Sequence, residues 1–174
     1  NLMATEVYKR LHMNPEFCQS NLGETTPPPV CLKMEDLKTT YSVSTPLYSA
    51  AYYNIVTIDL NPEETMKKLS IIAAEAFNAS LEFVKEKATA FEKKFGDKPV
   101  RYEIKPCIKT FNQLYKETKE NYNGDFDEYI KGIIKNWQAE KLEMQDIAIK
   151  AVKRIYELSP DKRPMIILSI IPPY

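Results

Sequence analysis

Residues 61–95 read NPEETMKKLSIIAAEAFNASLEFVKEKATAFEKKF, and this stretch decides how the rest of the chain is organised. Asn61 is a capping residue, Pro62 suits the first helical position, and Glu64 stands three residues after the cap to close a capping box. Glu63–Lys67 and Glu64–Lys68 are i,i+4 pairs in the favourable order. Met66, Leu69, Ile72, Ala73, Ala76, Phe77, Leu81, Val84, Ala88 and Phe91 recur at helical spacing, with charged residues on the other side. Gly96 is the expected stop. A helix of that length, about 50 Å at 1.5 Å per residue, cannot bury its apolar stripe alone.

Proline marks where further long helices can run. It removes a helical hydrogen bond and clashes with the preceding turn, and none occurs between 62 and 99 or between 106 and 160. The spacing predicts a helix over 105–122, with Ile108, Phe111, Leu114, Tyr115, Thr118 and Tyr122 as its stripe. After the turn signal Asn123-Gly124-Asp125, a helix is expected from Phe126 to about Leu158, ended by Ser159-Pro160. Ahead of residue 61 the pattern gives a short helix faced by Leu2, Val7, Tyr8 and Leu11, and a second short helical stretch over 16–22. Residues 23–60 read as irregular. Pro27-Pro28-Pro29 favours polyproline II, 32–37 a helical turn, and 52–60 (YYNIVTIDL) an extended run. The apolar run 165–171, MIILSII, must cover the helices or pair as a strand. Three long amphipathic helices on short connections predict an all-α, up-and-down four-helix bundle with an N-terminal extension and a long irregular insertion, residues 1–60 supplying the remaining helix or a covering flap. The expected organisation is one domain over 1–174: a hairpin and wrapping segment over 1–60, the bundle over 61–158, and an apolar tail over 159–174.

Composition bounds the function. Of 174 residues, 44% are apolar, which supports a packed core. Lys and Arg number 24, as do Asp and Glu, so no global charge recruits nucleic acid or an anionic membrane. No apolar run reaches the ~20 residues of a membrane span. The three cysteines, Cys18, Cys31 and Cys107, lack the close spacing of a zinc or redox motif. One disulfide with one buried thiol, or three reduced thiols, both fit. His12 is the one histidine, more often a surface or packing residue than a catalyst. No Glu-x-x-His pair, nucleophile elbow, phosphate loop or dinucleotide glycine pattern occurs. Carboxylates at Glu140, Glu143 and Asp146, and at Asp125, Asp127 and Glu128, read as solvated or dipole-matching acids. Lys85, Lys87, Lys93, Lys94 and Lys98 read as a solvated face, and Tyr48, Tyr52 and Tyr53 as a contact surface in the irregular segment. The sequence therefore names no catalytic, metal or cofactor-binding residue, calls for no cofactor, and favours a binding surface over an active site.

Several fragments resemble the plant invertase and pectin methylesterase inhibitor family. Asn14-Pro15-Glu16-Phe17-Cys18 with Leu22 is similar to its N-terminal pattern, LSIIAAEAFNAS to the start of its long second helix, and Cys107, Tyr115 and Gly124-Asp125-Phe126 to its third helix and following turn. The resemblance covers roughly 5–22 and 61–156. It implies a four-helix bundle with an N-terminal hairpin, secreted to the apoplast or cell wall, that binds and inhibits a carbohydrate-active enzyme such as pectin methylesterase. In that setting Cys18 and Cys31 are expected to form a disulfide and Cys107 to remain a buried thiol. Glu75, Glu82 and Lys119 are the implied partner contacts. The family's first cysteine position falls near Lys9 and its fourth near Glu143 or Met144, and Cys31 has no counterpart in it. Two other readings stand beside this one: a divergent bundle recruited to small-molecule binding or catalysis, and a subunit of a larger homo- or hetero-oligomeric assembly.

Overall fold

A computed structural model describes residues 1–40, 43–59, 61–99 and 103–171. The chain forms two compact units, Asn1–Cys107 and Ile108–Tyr174. Its architecture is mixed α/β, which corrects the expected all-α four-helix bundle. Among the described residues, five α-helices are joined by six short strands in three two-stranded sheets.

The first unit opens with helix α1, Leu2–Leu11, followed by a single 3-10 turn at Pro15–Phe17 that Asn14 caps. The helical stretch expected over 16–22 is instead that turn and half of a small hairpin. Strands β1, Ser20–Asn21, and β2, Glu24–Thr25, pair antiparallel. Leu22 and Gly23 between them have φ of 50° and 86°. Two successive positive φ values are what a tight hairpin turn of the right twist requires. Residues 23–60 are also more regular than expected. Strand β3, Val30–Asp36, pairs antiparallel with β4, Ser49–Asn54, with a register irregularity between Cys31 and Lys33. The helical turn expected over 32–37 is therefore mostly strand. The extended run predicted over 52–60 is strand only as far as Asn54, and Leu60 lies outside the described residues.

Helix α2, Pro62–Phe95, starts and stops where its sequence signals place it, but the expected capping box is present only in its Asn61 half, and Lys68 donates to Glu16 O rather than pairing with Glu64. The Asn61 side chain accepts the Glu64 N–H at 2.9 Å, and Gly96 ends the helix at φ 77° with its N–H on Glu92 O. Helix α1 packs along it, and Leu11, Phe17 and Ile72 form a core with Val7, Leu69, Tyr53 and Ile55 around them. Ala73, Ala76 and Phe77 are also buried.

The second unit begins with strand β5, Ile108–Thr110, and helix α3, Phe111–Glu120. The helix expected from residue 105 starts later because Thr110 and Gln113 make a reciprocal capping box. The helix expected over 126–158 is two helices, α4, Phe126–Ala139, and α5, Met144–Leu158. Lys141 between them takes φ 57°, and Leu142 N–H reaches back to Trp137 O at 3.3 Å. The break lets the two halves fold onto each other, and Ile130 of α4 and Ile155 of α5 meet Leu114 and Phe126 in one buried cluster. The tail pairs as a strand: β6, Ile166–Leu168, runs parallel to β5, with Ile108 beside Ile166 and Thr110 beside Leu168. Residues 172–174 of the expected tail lie outside the described residues.

Candidate docking face

The residues expected to carry contacts are distributed as follows. Glu75 and Glu82 stand seven apart on α2, hence on one side of it. Glu75 is exposed and 3.9 Å from Arg10 of α1, and Glu82 is exposed and 3.7 Å from Lys85. Lys119 belongs to the second unit, where its ammonium pairs with Asp127 at 2.7 Å and the Tyr115 hydroxyl donates to the same carboxylate at 2.8 Å. Those two hydrogen bonds, Lys119 first, hold the Asp127 carboxyl below its ordinary range. Burial, then the Asp127 bond, pushes the Tyr115 phenol up to about 12. The expected Cys18–Cys31 disulfide is not formed. Both are free thiols, and the Cys31 thiol donates to Lys33 O at 3.5 Å, while Cys107 is buried and free.

His12 has a structural job. Its ring stacks on Tyr8 at 4.6 Å, and its Nδ1 accepts the Cys31 N–H at 3.1 Å, tying the end of α1 to the start of β3. Tyr53, opposite Cys31 on β4, holds a buried hydroxyl with no hydrogen-bond partner, and burial, then the neighbouring Cys31, raises its pKa. In the second unit Lys109 is nearly enclosed between Glu117 and Asp161. Burial opposes its charge, but the two carboxylates outweigh that and raise its pKa. Asp161 also receives Arg163, whose hydrogen bond, with that of Lys109, holds it far below the usual carboxylate range. These are ion networks between elements of one unit. Among the described residues no group of His, Cys, Asp and Glu could hold a metal ion. Among the described residues, one open depression runs along α2 by Glu82, Lys85, Glu86 and Thr89, and another lies between Asn1, Ala4 and Thr5 of the N-terminus and Met34, Glu35 and Asp36 of β3. Neither is a closed pocket.

The feature that calls for a function is the second half of α2. Its last buried residue is Ser80. Beyond it the apolar stripe continues into solvent, with Val84 56%, Phe91 46% and Phe95 58% exposed. A helix of 10 residues spans only about 15 Å and one of 34 about 51 Å, so α1 is too short to follow α2 to its end. Phe77, Leu81, Val84, Ala88, Phe91 and Phe95 are spaced 4, 3, 4, 3 and 4 apart. That is the two-per-seven seam by which one helix receives another. Ala88 leaves a gap where an opposing side chain can enter, and Phe91 and Phe95 stand together at 4.9 Å between ring centroids. The stripe itself is legible in the sequence; that no described residue of the first unit buries it past Ser80 is a tertiary fact.

No family model and no solved structure matches this chain. Two curated proteins of Bacillus subtilis (strain 168) do. An uncharacterized protein, YqjN, is 27% identical over 174 residues, covering 99% of this chain and 31% of YqjN. Protein RocB is 26% identical over 175 residues, covering 100% of this chain and 30% of RocB. The chain thus spans about a third of the length of the curated relatives it matches. These relatives are bacterial. They overturn the resemblance to the plant invertase and pectin methylesterase inhibitors, and with it the reading of the chain as an inhibitor of a cell-wall enzyme. The mixed fold and the free cysteines agree with that correction. No helix among the described residues is long and apolar enough to cross a membrane.

Proposed function

We propose that this chain is a docking module within a longer polypeptide of the kind represented by YqjN and RocB, and that the exposed half of α2 receives another helix of that same polypeptide. The carrying observation is the uncovered seam through Val84, Ala88, Phe91 and Phe95. Its size favours an occupant on the same chain. Three half-exposed large side chains offer on the order of 300 Å² of apolar surface, below the roughly 800 Å² per side of a stable interface between separate proteins. At about 25 cal/mol per Å², that is about 7 kcal/mol of gross burial. Separate partners lose much of such a sum to translational and rotational entropy. A helix tethered nearby loses far less, because its effective concentration is high. The relatives, matched along the whole of this chain yet three times as long, supply the precedent for such additional sequence.

Two measurements test this. An antibody raised against the chain should detect a native product of about three times 174 residues, and a product of this chain's own size sinks the reading. Hydrogen exchange should then show the amides of 83–95 at least tenfold better protected in that longer product than in the 174-residue chain. Equal exchange in the two overturns the docking role.

A further inference from the structure

We infer that β6 is an interior strand of a wider sheet, and that its next neighbour is an extended segment of the longer polypeptide lying outside this chain. The inference rests on the reading of the chain as part of such a polypeptide, but on different residues from those of the α2 seam.

Among the described residues β6 pairs with β5 alone, leaving its other edge open. The pair is parallel, closed by the crossover through α3, α4 and α5. Parallel strands occur almost only in sheets with both faces covered, and their interior strands read as continuous apolar runs. β6 has that composition: Met165-Ile166-Ile167-Leu168 is wholly apolar, and Ile170 and Ile171 follow Ser169. β5, Ile108-Lys109-Thr110, does not; a lysine in the middle of a short strand is a device of sheet edges. The two strands are thus unequal, and β6 is the one composed for neighbours on both sides.

The faces give the same answer. Met165 and Ile167 pack against the helical cluster of this unit. Side chains alternate along a strand, so Ile166 and Leu168 turn to the opposite face, which Ile108 and Thr110 share through the register. Lys109, beside Ile167, is on the helix side, where it reaches Glu117. Ile108, Ile166 and Leu168, with Thr110, share that second face; all four are half-buried, and none of the three apolar residues belongs to the packed helical cluster. A further strand on the β6 edge satisfies its outward N–H and C=O groups and extends that face.

The test is residue-resolved hydrogen exchange on the native longer product and on the 174-residue chain. Amides of 166–168 are expected to exchange at least 100-fold more slowly in the longer product, and Ile166→Asp in that product should remove the gain while the amides of α3 and α4 keep theirs. Equal β6 exchange in the two proteins overturns the inference, even where 83–95 gain protection and the α2 reading survives. If β6 protection in the 174-residue chain instead rises with its concentration, with a dimer by light scattering, the occupant is a second copy and the inference is equally overturned.

Discussion

Phe77 and Phe91 make a matched pair, because both are phenylalanines on one stripe of one helix. Phe77 is fully buried and Phe91 is 46% exposed. Replacing Phe77 by alanine removes a whole buried ring and leaves a cavity, a loss of about 3–5 kcal/mol. Phe91→Ala gives up only part of a ring's burial, about 1 kcal/mol of the 1.5–3 available to a fully buried one. Alanine's better helix propensity returns about 0.5 kcal/mol, so the net loss in the 174-residue chain should be near 0.5 kcal/mol. Urea unfolding by far-UV circular dichroism measures both. Trp137, on α4 in the second unit, supplies a separate fluorescence signal, so that two transitions are not read as one. In the longer product, where a docked helix would cover Phe91, the same substitution should cost about 2–3 kcal/mol. If Phe91→Ala is as damaging as Phe77→Ala in the 174-residue chain, the seam is already covered there and the reasoning fails.

Asp161, held far below its ordinary 3.8 by Arg163 and Lys109, should impose an acid limit on the second unit. Between its folded value and 3.8 the unfolded chain binds more protons, so its contribution is complete above about pH 5 and is lost progressively as pH falls below 4. Asp161→Asn should cost about 1 kcal/mol at pH 7 and flatten that acid slope, as read by Trp137 fluorescence; an unchanged slope refutes the assignment. In the native protein, Cys18 and Cys31, both partly exposed, should react with a thiol reagent before buried Cys107. A preparation with fewer than three titratable thiols after unfolding contradicts the free-cysteine structure.

Helix α2 was legible because each of its boundaries is written in residues whose local chemistry is strong: Asn61, Pro62 and Gly96. The start of α3 was also written, in Thr110 and Gln113, but the more general signal of Pro106 in a first turn points earlier. The break between α4 and α5 has no glycine or proline to announce it. Lys141 takes a left-handed conformation because the fold returns there, and the stripe continues across the gap as though the helix did. Strand β3 is obscured for another reason: Val30, Leu32 and Met34 face solvent while Cys31, Lys33 and Glu35 are half-buried, so its alternation is inverted from the usual apolar-inside pattern. The expectation of an all-α bundle followed from these local losses: an extended run over 52–60 and a strand within 165–171 were legible, but their partners β3 and β5, the small β1–β2 hairpin and the turn at Lys141 were not.

The two incomplete surfaces also differ in how the sequence protects them. Along α2 the exposed seam is flanked by Lys85, Lys87, Glu92 and Lys94, and Lys94 lies over the Phe95 ring at 5.2 Å. Charges of this kind discourage random association of an apolar stripe but can stay solvated when a helix docks between them. β6 has no such guard between Met165 and Ile171. An unguarded apolar strand with an open edge is an aggregation template, so its neighbour must arrive early in folding and remain. The docked helix on α2 can be exchanged or displaced without exposing the chain to that hazard. The seam is accordingly the place in this chain where a movable contact is physically tolerable, and the sheet edge is the place where the contact must be permanent.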